Sequence, residues 1–244
     1  MRSGDDLTAV ARIRDAAIET FGREGFAVGI RSIAAAAGVS PALVMHHFGS
    51  KDGLRKACDD HIARTVLESK TESIQTTDAA TWFAQLAEIE DYAPMMGYLV
   101  RSLQTGSELA KTLWRTMIDN TEQYLEAGVL AGTVKPSPDP RARARFLAMT
   151  GGGAFLLYLQ LHDDPSDLRA VLRDYSEDMV LPALELYTNG LMTSSTMYEA
   201  MDAIIRLYNL NVTEVCTVAL TCATTYRPAD DITRAEMATM VTNL

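Results

Sequence analysis

The sequence predicts an all-α protein in three parts: an N-terminal three-helix domain with a helix-turn-helix, a larger helical domain, and a small C-terminal helical extension. Apolar residues recur at the helical spacing of about 3.6 in 6–24 and through most of 78–189. Residues 30–54 have the pattern of short helices joined by a tight glycine turn. Residues 188–196 form a linker rich in Ser, Thr, Gly and Asn, and a threonine-rich stretch follows further on. The expected domains are 1–55, 56–189 and 190–244.

The first predicted helix runs from Asp6 to Glu24. Its apolar side chains lie three or four residues apart, so they share one face. They are Val10, Ile13, Ala17, Ile18 and Phe21. Gly25 follows and ends the helix, because glycine readily adopts the conformations that stop one. We therefore expect one side of this helix to enter a core.

A sharp turn at Gly38 separates the second and third predicted helices. A helix that ends in the left-handed conformation favours glycine at that position. Ser40 is predicted to cap the third helix, and Pro41 takes its first position, where the missing N–H is no loss. Val44 and Phe48 should turn inward. This is the layout of a helix-turn-helix, whose second helix enters the major groove of DNA.

The fourth helix is predicted to begin at Lys51, to be capped by Ser50 and to reach about Ser69. It would link the first domain to the second. Beyond it, 78–189 is helical with several interruptions. These fall near Pro94, at Gly106, over 132–138 and over 163–165.

Two long helices close the second domain. Asp139 and Pro140 form a cap and a first helical position, which opens a helix to about His162. Ser166 or Asp167 opens another that runs to about Tyr187.

The charge of the chain is divided unevenly. The formal net charge is −10, with a mean hydropathy near zero that suits a water-soluble globular protein. Residues 1–56 nevertheless hold eight Lys and Arg against six Asp and Glu. Because phosphate contacts are local, a slightly basic head on an acidic body is compatible with nucleic-acid binding.

Several spaced motifs in residues 7–55 resemble the DNA-binding domain of the TetR family of bacterial transcriptional regulators. They are Phe-Gly-Arg-Glu-Gly-Phe at 21–26, Arg-Ser-Ile-Ala at 31–34, Ala-Gly-Val-Ser at 37–40, and His-Phe-Gly-Ser-Lys-Asp-Gly-Leu at 47–54. The resemblance implies a homodimer that binds double-stranded DNA at a palindromic operator. It also implies that 56–189 forms an effector-binding and dimerisation domain, whose last two helices build a four-helix bundle with the partner subunit. A ligand-responsive repressor is the expected function.

The resemblance and the helix geometry together select the expected DNA contacts. They are Arg31, Ser40, Pro41, Ala42, Met45, His46, His47 and Lys51. Lys51 matches the family's phosphate-binding lysine, and the helix N-terminus beside it also favours an anion. Met45 stands where the family commonly has a tyrosine, and Gly29 where it usually has a capping hydroxyl. His47 has an alternative interpretation as a boundary residue packed on the first helix.

Large apolar residues are concentrated in the middle helices, where the resemblance implies a cavity for a small hydrophobic effector. The expected pocket residues are Trp82, Phe83, Met96, Leu99, Trp114, Met117, Ile118, Tyr124, Phe155 and Tyr158. Each could instead be ordinary core. Three glycines at 151–153 weaken their helix by roughly 1 kcal/mol each relative to alanine. Close helix contact, at the dimer seam or beside the pocket, is the interpretation we favour.

The C-terminal extension resembles a different module. An amphipathic helix is predicted around Met197 to Tyr208, and a capping box lies at 233–236. Residues 198–244 resemble an S-layer homology module, which gives an alternative function as a cell-surface or interaction protein. Cys216 and Cys222 are expected to be free thiols in a cytoplasmic protein, and Cys58 a reduced core or boundary thiol.

Other function classes are not favoured by the residues present. The chain has no Gly-x-Ser-x-Gly, no cluster of metal ligands and no phosphate loop, so we expect no enzyme, no metal and no cofactor. No apolar run is long enough to cross a bilayer. Asp5 and Asp6 stand where a signal peptide would be basic and then apolar, so we expect a cytoplasmic location without membrane contact.

Overall fold

The computed structural model describes residues 4–209, with side-chain surroundings for 8–204. The all-α prediction is confirmed: the described residues form α-helices and one 3₁₀ turn, without a strand. The helices are α1 Gly4–Glu24, α2 Ile30–Ala36, α3 Pro41–Phe48, α4 Lys51–Gln75, α5 Ala79–Ala87, α6 Ala93–Thr105, α7 Glu108–Ala131, α8 Pro140–Leu161, α9 Leu168–Asn189 and α10 Thr196–Asn209. The 3₁₀ turn, Ile89–Tyr92, precedes α6.

The head, α1 to α3 with the first turns of α4, is organised around a small apolar core. Ile13, Phe21, Ile33, Val44 and Leu54 are all fully buried within it. The predicted stripe of α1 and the inward turn of Val44 are therefore confirmed. The same cluster continues into α6 and α7, so the head and the body share one core.

Local hydrogen bonds fix the helix-turn-helix as the sequence predicted. Gly38 has a φ of 65°, the left-handed value that glycine adopts at low cost. The N–H of Leu43 donates to Ser40 Oγ at 3.2 Å, and the N–H of Gly53 donates to Ser50 Oγ at 2.9 Å. Gly29 begins α2 without a side-chain cap. The orientation of α3 is thus set by residues within or beside it.

The fourth helix is longer than predicted, since it continues past Ser69 to Gln75. Neither glycine nor proline interrupts this stretch, and contacts at Ile74 stabilise the added turns. Ile74 packs closely on Gly128 of α7, and Thr133 Oγ1, just after α7, donates to the carbonyl of Ile74.

The breaks in the body fall where the sequence predicted them. Gly106 and Gly132 end α6 and α7 in the left-handed conformation, with φ of 59° and 79°. Pro94 lies in the first turn of α6, directly after the 3₁₀ turn. Asp139 caps α8 by accepting the N–H of Ala142 at 2.9 Å. Short-range polar contacts therefore set the boundaries of the long helices.

The last helices carry two features that the sequence analysis did not anticipate. Pro182 lies inside α9, which continues beyond it to Asn189. The chain also divides into two units between Leu184 and Glu185. The first unit contains the head and most of the body. The described part of the second contains the end of α9 and α10, whose Met197, Met201 and Ile204 are exposed. The amphipathic helix predicted there is confirmed.

Candidate DNA-binding surface and effector pocket

The outer face of α3 is formed by exposed side chains that take no part in the core. Ser40, Pro41, Ala42 and His46 are exposed, and Met45 is 43% exposed. All five belong to the expected DNA contacts, and they lie on or directly before the helix predicted to enter the major groove. Their chemistry is varied: Ser40 Oγ is occupied as the cap, Pro41 and Ala42 offer apolar contacts, and His46 offers a ring nitrogen.

His47 lies at the edge of this face rather than on it. Its side chain is half-buried, and its Nε2 atom is buried without a hydrogen-bond partner in the protein. The ring meets His46 edge-on at 5.2 Å between centroids and Phe48 at 6.4 Å. This placement agrees with the alternative interpretation of His47 as a boundary residue. Sequence reasoning could not separate the two roles, because they differ only in burial.

Two basic side chains flank α3. Arg31 is exposed in the first turn of α2, and Lys51 is the first residue of α4. Among the residues that the structure describes, neither forms an ion pair. The free N–H groups at the start of α4 add a partial positive charge beside Lys51. This end of α4 can therefore hold a phosphate.

The expected pocket residues are brought together only in part. Six of the ten pack in the apolar interior of the body: Met96, Leu99, Trp114 and Met117 with the larger cluster, and Phe155 and Tyr158 with a second cluster that also contacts Met96. Trp82, Ile118 and Tyr124 are half-buried. Phe83 is 70% exposed, so it lines no enclosed space in this conformation. It lies on α5, which has no buried residue because the helix sits at the edge of the body.

Two cavities of the described region lie elsewhere. One of about 80 Å³ lies between α4 and α7, against Asp59, Leu113 and Thr116. A more open groove of about 320 Å³ lies between α5 and α9, against Leu86 and Val180. Neither is lined by any of the ten expected residues. The expected residues that do come together are packed in the apolar clusters of the body.

Trp114 and Gly152 mark the tightest contact between α7 and α8. A Cβ on Gly152 would lie 3.2 Å from the Trp114 ring, which is closer than ordinary van der Waals contact. The Trp114 Nε1 atom is buried and has no acceptor in the protein. One of the three glycines therefore makes room for an indole, which agrees with the predicted close helix contact.

Polar contacts close α8 against α9. Tyr158 donates its hydroxyl to Asp178 at 2.6 Å, and this hydrogen bond raises the pKa of Tyr158 to about 12. His162 Nε2 lies 3.1 Å from an Asp174 carboxylate oxygen, which raises the pKa of the imidazole. No local sequence pattern indicates these pairs, because their partners lie 12 to 20 residues apart along the chain.

Two family models match separate parts of this chain. Residues 13–58 match the model described as "Bacterial regulatory proteins, tetR family". Residues 90–193 match the model described as "Tetracyclin repressor-like, C-terminal domain". The first match contains the helix-turn-helix, and the second contains α6 to α9. Together they cover more than half of the chain.

A curated relative extends this similarity. The chain is 68% identical over 203 residues to the "HTH-type transcriptional regulatory protein RaaS" of Mycobacterium tuberculosis (strain ATCC 25618 / H37Rv), covering 83% of this chain and 95% of that protein.

Two solved structures share the fold. One, reported as "Molecular basis for control of antibiotic production by a bacterial hormones", has a TM-score of 0.52 and 22% identity, covering 74% of this chain and 98% of that chain. A fatty acid metabolism regulator from Clostridium perfringens has a TM-score of 0.50 and 15% identity, covering 75% of this chain and all of the other.

A helix-turn-helix with an exposed recognition helix, joined to a helical body, defines a DNA-binding transcriptional regulator. The chain belongs to the TetR family of these regulators. The predicted family, fold class and function are thereby confirmed, and so is the expectation that the chain is not an enzyme. TetR regulators bind DNA and small-molecule effectors and typically dimerise.

The comparisons lend no support to the cell-surface alternative. The family matches end at residue 193. Residues 210–244, with the capping box, Cys216 and Cys222, lie outside the described residues. Cys58 is buried and free, and burial raises its thiol pKa. None of the described helices has both the length and the apolar character that a membrane crossing requires.

Proposed function

We propose that this protein is a ligand-responsive repressor that binds a palindromic operator as a homodimer in the bacterial cytoplasm. The observation that carries the proposal is the exposed face of α3 between two basic helix starts. Pro41, Ala42, Met45 and His46 would meet base edges, with the apolar side chains suited to thymine methyl groups. Arg31 and Lys51 would hold the phosphates on either side.

The surface of α8 supports a homodimer. Phe146, Met149, Leu157 and Leu161 are all exposed, with Leu157 at 61%, and they lie on one face at helical spacing. Gly153 falls in the middle of that face with nothing within 4 Å of the Cβ position. A helix of a second copy could approach closely at this glycine. An exposed apolar stripe of this kind is typical of an interface.

The interior around Trp114 supports an effector site. Its Nε1–H is buried without an acceptor, and an unpaired buried donor costs about 1–3 kcal/mol. A hydrophobic ligand that carries one hydrogen-bond acceptor could satisfy this donor, with Met117 and Phe155 as apolar neighbours in the same interior. Binding would favour a conformation in which the two heads no longer match the operator, which lowers affinity for DNA.

Selection of bound sequences from random DNA with the purified protein tests the DNA-binding proposal. We expect inverted half-sites to be enriched, and a steep loss of affinity with salt because phosphate contacts release counterions. A gel shift without retardation at low salt, or enrichment of a single unpaired half-site, would contradict the proposal.

The effector site has its own test in the chain's two tryptophans, Trp82 and Trp114. A library of small hydrophobic compounds can be screened for a change in tryptophan emission. We expect that a compound which releases DNA changes the emission of the Trp82→Phe variant, where Trp114 reports alone. If a compound that releases DNA changes the emission of the Trp114→Phe variant only, Trp82 is the reporter and the effector site lies at α5 instead.

A further inference from the structure

The head and the body meet along a contact between α1 and α6. A Cβ on Gly22 would lie 2.9 Å from the backbone nitrogen of Tyr98, so the two helices touch backbone to backbone. The Arg101 guanidinium donates to the carbonyl of Gly22 at 3.3 Å, at the end of α1. The head therefore cannot tilt away from α6 without breaking tight packing.

The side chain of Arg55, on α4, contacts two other parts of the molecule. Its guanidinium carbon lies 3.7 Å from the centroid of the Phe26 ring, in the turn between α1 and α2. Its Nη2 donates to Ser107 Oγ at 3.2 Å, and Ser107 is the cap of α7. Arg55 is only 9% exposed. A single buried cation thus connects the head to the corner between α6 and α7.

A second buried contact lies beside it. Tyr98 is fully buried and donates its hydroxyl to Asp59 Oδ1 at 2.6 Å. The Tyr98 ring also meets the Phe26 ring edge-on, with 5.1 Å between centroids. Burial raises the pKa of the Asp59 carboxyl, whereas the Tyr98 hydrogen bond and the charge of Arg55 act in the opposite direction. The Asp59 carboxylate is therefore stabilised in its buried position by Tyr98 and Arg55.

We infer that Arg55 and the Tyr98–Asp59 pair form a coupling joint that transmits the position of the α6–α7 corner to the DNA-binding head. This inference rests on the proposed function, since it describes how an effector in the body reaches DNA. Ile13, Ile33 and Val44 pack the three head helices against one another, so the head moves as one piece although its core continues into α6 and α7. The position of the head then depends on the α1–α6 contact and on what holds Phe26 and α4, and the joint supplies the contacts to Phe26 and α4.

The hydrogen bonding of the joint favours a few discrete positions of the head over a continuous range of positions. Arg55 Nε is already buried without a partner, and Nη2 has Ser107 as its acceptor. If the α6–α7 corner moved away from α4, the guanidinium would lose that acceptor inside an apolar setting, which is costly. The head must then shift with the corner, or the cation must find a new partner. Lysine would not replace arginine, because it lacks the planar group that stacks and donates together.

Hydrogen–deuterium exchange on the full chain tests the joint without an effector or an operator. Arg55→Met keeps an unbranched apolar stem and removes the charge and the donors of the guanidinium. We expect faster exchange in two separate segments, the turn after α1 at 25–30 and the start of α7, with no change in α8. Lys56→Met is the matched control, since Lys56 is adjacent, carries the same charge and pairs only with Asp60 on its own helix.

A milder variant guards against misfolding. Tyr98→Phe keeps the ring and removes only the hydroxyl, and it should accelerate exchange in the turn after α1 as well. On the selected operator, substitutions along a coupling network should change affinity by between about twofold and thirtyfold. We expect this for Arg55→Met and not for Lys56→Met.

The outcomes separate the joint from the proposed function. If the wild-type protein binds no DNA, the proposed function fails and the exchange data still decide whether the two segments are coupled. If Arg55→Met accelerates only one segment, or matches Lys56→Met in both, the joint is overturned. If exchange rises equally across the whole chain, Arg55 merely stabilises the fold and the joint is also overturned.

Discussion

Lys51 combines a full charge with the partial charge of a helix start. The backbone N–H groups at the start of α4 lie beside Lys51, so an anion there is attracted by both the helix start and the side chain. In a dimer this site occurs once in each head. It should therefore contribute strongly to affinity and little to the choice of sequence.

We predict that Lys51→Met weakens operator binding roughly tenfold and equally across operator variants. The dependence of log affinity on log salt should become shallower by about 2, since two phosphate contacts are lost per dimer at about 0.9 each. Titrations by fluorescence anisotropy at several salt concentrations measure both. Lys111→Met is the control, because Lys111 pairs with Glu108 on the body. A variant that alters sequence preference would assign Lys51 to base contact instead.

Gly152 and Gly151 allow a matched comparison inside one helix. A Cβ on Gly152 meets the Trp114 ring at 3.2 Å, whereas one on Gly151 meets nothing within 4 Å. We predict that Gly152→Ala shifts Trp114 emission and destabilises the fold by about 1–3 kcal/mol through overpacking, offset in part by better helix propensity. Gly151→Ala should stabilise it by about 0.5–1 kcal/mol. Urea unfolding measures the free energy of unfolding of both variants. Equal effects would mean that the Trp114 side chain moves aside without strain.

At the scale of the element, α8 has two faces with different roles. One face packs on α6 and α9 through the buried Phe155 and Leu159, and on α7 at Gly152. The opposite face is apolar and exposed around Leu157. A helix that is apolar on both faces in a single chain requires a further partner to cover the second.

We predict that Leu157→Glu converts the protein to a monomer at micromolar concentration, because a buried charge at a helix interface has no partner. Analytical ultracentrifugation measures the change. Gln123→Glu adds the same charge at an exposed position of α7 and should leave the dimer intact. A dimer that survives Leu157→Glu would place the interface on another surface.

The elements differ in how far the sequence could define them. Caps and glycine turns such as Ser40, Gly38 and Asp139 act within four residues, so the sequence predicted them and the structure confirms them. The end of α4 was predicted too early, since packing on α7 stabilises its last turns.

The Arg55 joint was missed for a related reason. Its partners lie 29 and 52 residues away along the chain, where no local pattern connects them. The expected pocket residues were selected by size and apolarity. Those properties indicate an interior but not whether it is open.

At the scale of the whole molecule, one short recognition helix can contact only a few base pairs. Two heads held by one dimer read two half-sites, and their separation is then fixed by the body. The acidic body, with twelve more acidic than basic residues after residue 56, should keep the rest of the protein away from the duplex.

We predict that inserting five base pairs at the centre of the selected operator reduces affinity to that of a single half-site. Five base pairs turn one half-site by about half a helical turn, to the far side of the duplex. Anisotropy titrations with the native, extended and half-site duplexes measure this. Unchanged affinity for the extended duplex would show that the two heads bind independently.

The packed interior around Trp114 and Met96 has a kinetic consequence for the binding of an effector there. A compound cannot enter a space that is filled, so the protein must first open by an internal motion whose speed does not depend on the compound. At low dose the observed association rate would rise with concentration, and at high dose it would level off at the frequency of opening. The delay between the arrival of the effector and the release of the operator would then be set by the opening rate of the protein, even at high effector concentration.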